Sequence, residues 1–207
     1  MNRRLATFAL FAVSLLMVRG VTAKDKSPDV VYVPTPHDIV AKMLKVAGVT
    51  KDDVVYDLGC GDGRIVVTAA KKIGCRGVGF EISPEMVKAS NANVKRAKVE
   101  NLVTIKQEDI FKQDLSKASV ITLYLLPSLN LRLVPQFEKM KPGSRIVSHA
   151  YDIKGIKPDR VISIESKEDS SNHNIYLWTI PLKKEEKKEK PREKPKEKPK
   201  EKKVTEL

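Results

Sequence analysis

Short apolar runs alternate with amphipathic stretches through the middle of the chain. Runs rich in Val and Ile predict five strands: VVYDL (54–58), RGVGFEI (76–82), VTIKQED (103–109), SVITLYL (119–125) and SRIVSHAY (144–151). Helical spacing predicts helices over 63–73, from Ser83-Pro84-Glu85 onwards, and around 127–140. Strands that alternate with helices form a parallel sheet covered on both faces, so we expect a doubly wound α/β fold.

The two ends of this pattern differ from its middle. Thr35-Pro36-His37-Asp38 predicts a capped helix start, and Gly48 predicts the end of that helix. RVISIESK (160–167) and IYLWTIPL (175–182) flank a short polar loop, which indicates an antiparallel hairpin. The sheet should therefore finish with a reversed strand.

The N-terminus has a composition of its own. Arg3 and Arg4 precede fourteen mostly apolar residues (5–18), and Val21-Thr22-Ala23 follows with a pattern that a signal peptidase reads. A membrane-spanning helix needs about 20 residues, so the run is short for a span. The pattern predicts a signal peptide or an N-terminal membrane anchor over residues 1–23, with another targeting role left open. We therefore expect an exported (periplasmic or secreted) or membrane-anchored protein.

The C-terminus carries much of the charge. The chain has 207 residues and a formal net charge of +13, and residues 183–203 hold twelve Lys or Arg against six Glu. Such a segment has little to bury, so we expect a globular domain over 30–182 and a disordered tail over 183–207. The tail is either a solvated spacer or a contact for an anionic surface. It lacks aromatic residues that stack on bases, and no specific nucleic-acid recognition is predicted.

The cysteines and histidines argue against two kinds of site. Cys60 and Cys75 flank a predicted helix and should lie roughly 15–20 Å apart, too far for a disulfide. With two cysteines and three scattered histidines in the chain, no metal site is predicted.

The most informative stretch is VVYDLGCGDGRIVVTAA (54–70), in which a strand runs through a glycine turn into a helix. Glycines at 59, 61 and 63 allow a ligand to lie against the backbone at the carboxyl edge of the sheet. Arg64 replaces the last glycine of a nicotinamide fingerprint, and the Gly-Lys-Ser/Thr of a phosphate loop is absent. Asp57, two residues before the first glycine, suits a cationic ligand better than a pyrophosphate.

Two further carboxylates fall at neighbouring strand ends. Glu81 ends the second predicted strand, where a carboxylate accepts both hydroxyls of a ribose. Asp109 ends the third, where it can take the exocyclic amine of an adenine while Ile110 covers the ring. Three acids at successive strand ends suggest a nucleoside that carries positive charge.

These motifs resemble those of a known family. DLGCGDG, FEIS and QEDIF look like motifs I, II and III of the class I S-adenosylmethionine-dependent methyltransferases, over about residues 30–182. The resemblance implies a seven-stranded Rossmann-like sheet of order 3-2-1-4-5-7-6 with strand 7 reversed. More narrowly, the segments YVPTPHDIVAKML and LYLLPSLN resemble the small lysine methyltransferases related to the ATP-synthase c-subunit and adenine-nucleotide-translocase enzymes.

The resemblance also implies roles for individual residues toward the cosubstrate, S-adenosyl-L-methionine. The amides of Gly59, Gly61 and Gly63 and the side chain of Asp57 would surround the methionine part, and Tyr32 and Thr35 would close over it. Those that would hold the ribose and the adenine are Glu81, Asp109 and Ile110. As an alternative, Asp57 and Asp109 only cap local turns.

The acceptor side departs from the amino methyltransferases that act on DNA bases or glutamine amides. Those carry Asn/Asp-Pro-Pro-Tyr/Phe after the fourth strand, whereas this chain has Tyr124-Leu125-Leu126-Pro127. Tyr124 would be catalytic by orienting a neutral amine for in-line attack, or it packs at the strand end. His149 either takes a proton from the substrate or is a hydrogen-bonded structural imidazole. His173 is expected in the solvated hairpin loop.

Three functions remain open. The first is a methyltransferase that acts on an amine, a protein lysine being favoured. The second is a small-molecule O- or N-methyltransferase. The third is a protein that binds S-adenosylmethionine without turnover.

Overall fold

Seven strands form one sheet in the order β3-β2-β1-β4-β5-β7-β6. The computed structural model describes residues 32–185, so the predicted segment 1–23 and nearly all of the predicted tail 183–207 lie outside the described residues. The strands are β1 (Val54–Leu58), β2 (Arg76–Glu81), β3 (Val103–Gln107), β4 (Val120–Leu123), β5 (Arg145–His149), β6 (Arg160–Glu165) and β7 (Asn172–Thr179). β1 to β5 are parallel, and β7 runs antiparallel to both of its neighbours. The predicted fold class and strand order are confirmed.

Helices cover both faces of this sheet. They are α1 (His37–Val46), α2 (Arg64–Ile73), α3 (Pro84–Ala97) and α4 (Pro127–Phe137). Apolar residues of α1, α2 and α3 pack against one face, and Leu129, Leu133 and Phe137 of α4 pack against the other. Strands buried on both faces explain the nearly continuous apolar runs in the sequence.

Two helix starts differ in how they are capped. The Ser83 hydroxyl accepts a 3.3 Å hydrogen bond from the Met86 amide, and Pro84 opens α3 as the sequence predicts. The expected cap at Thr35 is wrong, because α1 has no cap from its own preceding side chains. The Glu168 carboxylate caps this helix instead, accepting the amides of His37 at 3.0 Å and Asp38 at 3.1 Å.

The closing hairpin is longer than its apolar pattern indicates. β7 begins at Asn172, so His173 belongs to a strand and the expected loop position for it is wrong. His173, Ile175 and Leu177 alternate on one face of that strand. The hairpin therefore brings an imidazole to the sheet, and its loop supplies Glu168 to α1.

The predicted location needs correction. No helix within residues 32–185 is long and apolar enough to cross a membrane. The expectation of an exported or membrane-anchored protein is withdrawn, since the apolar run 5–18 on which it rested lies outside the described residues.

Candidate functional site

A cavity of about 550 Å³ opens beside the carboxyl ends of β1, β2 and β4. Parallel strands bring their carboxyl ends to one edge of a sheet, and ligands of open α/β folds bind there. Eight of the ten residues predicted for the site line the cavity: Tyr32, Thr35, Asp57, Gly59, Glu81, Asp109, Ile110 and Tyr124. Gly61 and Gly63 belong to the same turn but are not among the lining residues.

The glycine turn needs its glycines for shape. Gly59, Gly61 and Gly63 have φ angles of 75°, 54° and 76°, a region that residues with a Cβ rarely adopt. A Cβ on Gly61 would lie 2.2 Å from Cε2 of the Tyr32 ring, and one on Gly59 would lie 2.9 Å from Leu125 Cδ2. The turn therefore admits a close approach that any other residue would block.

The three amides of this turn are already engaged within the protein. The Gly59 amide donates to the Phe80 carbonyl at 2.9 Å, and the Gly63 amide donates to the Cys60 carbonyl at 2.8 Å. The Gly61 amide donates to Glu81 Oε2 at 2.9 Å. These glycines therefore offer a ligand an open backbone surface rather than free donors, which refines the role expected of them.

Asp57 ends up as a buried carboxylate with one unused oxygen. Its Oδ1 accepts a 2.7 Å hydrogen bond from the Thr122 hydroxyl, whereas its Oδ2 has no partner within the described part of the chain. Burial raises the pKa of Asp57 to about 7, although the Thr122 bond opposes this and the nearby Asp62 and Glu81 charges add to it. A buried polar atom without a partner is costly, so this oxygen fits a donor that arrives with a ligand.

Glu81 links the second strand to the glycine turn. Its Oε1 accepts the amides of Ile82 at 2.7 Å and Ser83 at 2.9 Å, while Oε2 accepts the Gly61 amide. A carboxylate offers about four acceptor positions, so roughly one remains. Because Glu81 is held rigidly, it can present that position to a hydroxyl of a ligand.

Asp109 and Ile110 follow β3 at the same edge of the sheet as Asp57 and Glu81. The Asp109 carboxylate accepts the Phe111 amide at 3.1 Å and so begins a short 3-10 helix, Ile110–Lys112. This is the local cap that the sequence left as an alternative, but both residues also line the cavity. The two interpretations of Asp109 are therefore compatible.

The segment before α1 is fastened to the glycine turn. Arg64 Nη1 donates a 2.8 Å hydrogen bond to the Thr35 carbonyl, and Arg64 Nη2 pairs with Asp62 at 2.8 Å. Burial, followed by the Asp62 charge, raises the pKa of Tyr32 to about 12. Tyr32 and Thr35 thus lie over the turn, where the sequence placed them. The Asp62 carboxylate accepts the Arg64 amide at 3.1 Å, although Gly63 holds the cap position of α2.

Tyr124 lies between the cavity and a pair of histidines. Its ring centroid is 4.0 Å from that of His149 and 6.2 Å from that of Tyr151. His149 is buried, with Nδ1 3.1 Å from Thr35 Oγ1 and Nε2 2.8 Å from His173 Nδ1. Burial lowers the pKa of His149 to about 4, so this imidazole is neutral near pH 7.

Sequence reasoning missed two members of this network, His173 and Asp169. His173 Nε2 lies 3.1 Å from both Asp169 carboxylate oxygens in the β6–β7 loop. The alternation of His173 with Ile175 and Leu177 was the signal that could have placed the histidine on β7. Nothing in the local sequence indicates that Asp169 reaches it.

The cavity lining is strongly acidic. Its carboxylates are those of Asp57, Asp62, Glu81, Glu85, Glu108 and Asp109. Among the described residues Arg64 is the one cation that lines it, and Asp62 pairs with that guanidinium. The field in the cavity therefore favours an amine or a cationic ligand over a polyanion.

The cysteines and possible metal ligands add no second site. Cys60 and Cys75 are both free and buried. Within residues 32–185 no group of His, Cys, Asp and Glu is arranged to hold a metal ion.

The fold and the site define a class of protein. A seven-stranded sheet with a reversed β7, a glycine turn after β1 and an acid at the end of β2 are typical of the class I S-adenosylmethionine-dependent methyltransferases. Residues 57–160 match the family model described as the ANTKMT methyltransferase domain. The chain belongs to that family.

Individual relatives agree with this assignment. The chain is 44% identical over 155 residues to a protein-lysine N-methyltransferase of Saccharolobus islandicus, covering 74% of this chain and 95% of that protein. It is 28% identical over 158 residues to the lysine N-methyltransferase of the ATP-synthase c-subunit from Xenopus laevis, covering 74% of this chain and 66% of that one.

A solved structure is also similar. It is described as an RNA methyltransferase from Salinibacter ruber in complex with S-adenosyl-L-homocysteine, is 46% identical, and has a TM-score of 0.67. The match covers 78% of this chain and 98% of that one. The protein is thus an S-adenosylmethionine-dependent methyltransferase, and the predicted family and cosubstrate are confirmed.

Proposed function

We propose that the protein transfers the methyl group of S-adenosylmethionine to the amine of a protein lysine. The observation that carries this proposal is the acidic cavity, whose lining has six carboxylates and one guanidinium that is itself paired. A lysine amine is cationic in water, so such a cavity attracts it. The lysine methyltransferases among the relatives support the same acceptor.

The residues of the cavity fit the cosubstrate. The unpartnered Asp57 Oδ2 is placed to accept an amino group of the methionine part, and the side-chain-free turn at Gly59 leaves room beside it. Glu81 has about one acceptor position left, so it would bind one ribose hydroxyl directly. Asp109 and Ile110 would bind the adenine. When bound, S-adenosylmethionine supplies an electrophilic methyl group on sulfur.

The protein's own task in the reaction is to deliver a neutral amine in line with that methyl group. Tyr124 lines the cavity and is held by ring contact with His149, so its hydroxyl is a fixed hydrogen-bonding group beside the acceptor. Burial raises the pKa of Tyr124, which keeps it protonated and able to donate or accept. Orientation of this kind supplies most of the acceleration in such transfers, so no strong base is required.

Methylation of RNA is the second candidate, because the similar Salinibacter ruber structure is described as an RNA methyltransferase. Two observations oppose it. A cavity lined by carboxylates repels phosphates. The segment after β4 reads Tyr124-Leu125-Leu126-Pro127 and lacks the Asn/Asp-Pro-Pro-Tyr/Phe of amino methyltransferases, which opposes methylation at the amino group of an adenine.

Labelled methyl transfer into a cell extract tests this function. After incubation with methyl-labelled S-adenosylmethionine, the extract is separated into protein, RNA and small-molecule fractions, and the protein is hydrolysed in acid. We expect label in methyl-lysine, and much less of it with the Asp57→Asn variant at the same concentration of S-adenosylmethionine. Label confined to RNA or to small molecules would contradict the proposal, and so would S-adenosylhomocysteine binding without any transfer.

We also propose that residues 30–182 form the catalytic domain and that the tail 183–207 contacts an anionic surface. The support for the tail is its composition alone, twelve Lys or Arg against six Glu over 183–203. A chain ending at Glu185 should methylate as the full chain does, but elute from an anionic resin at lower salt. Equal elution would contradict a role for the tail, and loss of activity would contradict the domain boundary.

A further inference from the structure

A chain of four polar side chains connects the cavity with the protein surface. It begins at Thr35, which lines the cavity, and passes through His149 of β5 and His173 of β7 to Asp169. The three links measure 3.1, 2.8 and 3.1 Å. The side chain of His173 is 14% exposed and that of Asp169 is 43% exposed, so the outer end meets water.

The Asp169 carboxylate at the outer end determines which group donates in each hydrogen bond of this chain of side chains. A carboxylate only accepts hydrogen bonds, so His173 Nε2 must carry a proton toward Asp169. In a neutral His173, Nδ1 is then an acceptor, and His149 Nε2 must donate to it. His149 is neutral, so its Nδ1 accepts in turn, and the Thr35 hydroxyl must donate its proton away from the cavity.

We propose that Asp169, His173 and His149 act as positioning residues that turn the Thr35 hydroxyl into a hydrogen-bond acceptor for an N–H group in the cavity. The N–H group belongs either to the methyl-accepting amine or to the amino group of the methionine part of the cosubstrate. The methyl-accepting amine depends on the proposed function, whereas the cosubstrate does not. Tyr124, the residue proposed to orient the accepting amine, contacts the ring of His149, so this chain of side chains adjoins the acceptor side of the cavity.

When the histidine pair takes up one proton, the hydrogen bonds between Thr35, His149 and His173 reverse their direction. A proton on His173 Nδ1 faces His149 Nε2, so His149 must accept there and carry its own proton on Nδ1. Thr35 then accepts from His149 and turns its hydroxyl proton toward the cavity, where it opposes an N–H donor. The other charged or titratable groups near the chain are Tyr124, Tyr151 and Arg64, which binds the Thr35 carbonyl.

Replacing the outer carboxylate tests the proposal. Asp169→Asn removes the charge that favours a protonated histidine pair, so the acid limb of the pH profile should move to lower pH by at least half a unit. Asp114→Asn is the matched control, because Asp114 accepts the Ser116 amide just as Asp169 accepts the Ser171 amide, but has no link to the histidines. Its profile should superimpose on that of the wild type.

Two readouts distinguish the source of the N–H group. Calorimetry compares S-adenosylhomocysteine with 5′-methylthioadenosine, which lacks the amino group, and steady-state kinetics give kcat/KM for the methyl acceptor. If Asp169→Asn shifts the pH profile of S-adenosylhomocysteine binding alone, the N–H group belongs to the cosubstrate. If it shifts the pH profile of kcat/KM alone, the N–H group belongs to the methyl-accepting amine. If the profiles of Asp169→Asn and the wild type superimpose in both readouts, the proposal is overturned. Because binding needs no acceptor, this result is separate from any failure to find methyl-lysine.

Discussion

The Thr122 hydroxyl on β4 donates a 2.7 Å hydrogen bond to Asp57 Oδ1 on β1, and the other oxygen of that carboxylate has no partner in the described chain. One bond from a neutral hydroxyl does not compensate for complete burial, so the pKa of Asp57 rises to about 7. Without a ligand beside it, this carboxylate is thus only partly ionised near neutral pH. A ligand that brings a positive charge completes its ionisation.

Binding of S-adenosylhomocysteine should therefore release protons near neutral pH. An ammonium beside Asp57 Oδ2 favours the ionised carboxylate, so the affinity should rise with pH up to about 7 and level off above it. Calorimetry at pH 6.5 in buffers of different ionisation enthalpy measures the release. The same heat in every buffer would contradict this role of Asp57.

Asp57→Asn should weaken the binding of S-adenosylhomocysteine and leave the fold intact. A hydrogen bond to a charged group contributes about 1.5–3 kcal/mol, so the affinity should fall roughly 10- to 100-fold. Because burial raises the pKa of Asp57 from 3.8 to about 7 in the folded state, the free energy of unfolding of the wild type decreases as pH rises between these values and levels off above about 7. The variant should thus gain stability over the wild type between pH 5 and pH 8 in denaturant unfolding. Unchanged affinity for S-adenosylhomocysteine would place its amino group elsewhere.

Gly61→Ala should displace Tyr32 from the glycine turn. The new methyl group would lie 2.2 Å from the Tyr32 ring, in addition to the strain of an alanine at a φ of 54°. Gly143→Ala is the matched control, because Gly143 has a φ of 83° but no atom within 4 Å of an added Cβ. We expect the control to lose about 1–2 kcal/mol of stability from backbone strain alone. Gly61→Ala should lose more stability than this control.

The additional loss of stability in Gly61→Ala should depend on Tyr32. Tyr32→Ala in the Gly61→Ala background removes the contact but not the strain, so the two glycine variants should then have similar denaturation midpoints relative to their parents. If Gly61→Ala is no worse than Gly143→Ala from the outset, Tyr32 does not lie over the turn in solution.

His149 should make the protein less stable in acid. Its pKa falls from 6.5 to about 4 on folding, so between these values the unfolded chain binds more protons than the folded one. The contribution of His149 to the free energy of unfolding should therefore decrease as pH falls through this window, opposite in sign to that of Asp57. Urea unfolding of the wild type and of His149→Gln at pH 7, 6 and 5 checks this, and the variant should gain stability relative to the wild type as pH falls. Equal slopes would show that His149 is not a buried neutral imidazole.

The strand ends could be located from the sequence because local signals determine them. β1 occupies residues 54–58 as predicted, since a Val-rich run and a glycine turn bound it on either side. Glu81 and Asp109 follow from the same logic, because residues at the carboxyl ends of parallel strands share one edge. Eight of the ten residues predicted for the site therefore line the cavity.

Contacts between distant segments could not be predicted from the sequence. Thr35 looks like a helix cap, yet its hydroxyl lies against His149, 114 positions away, and Glu168 caps α1 from the far hairpin. The glycine amides were expected to face a ligand, but Glu81 and two carbonyls take them up. Each of these partners depends on how the hairpin packs back on the sheet, which no local pattern encodes.

A crystal structure of the full chain with S-adenosylhomocysteine tests the central claim most directly. The amino group should lie about 3 Å from Asp57 Oδ2, a ribose hydroxyl should reach Glu81, and the sulfur should face Tyr124. Adenine should lie against Ile110 beside Asp109. A ligand whose amino group points away from Asp57, or whose ribose does not contact Glu81, would contradict the account.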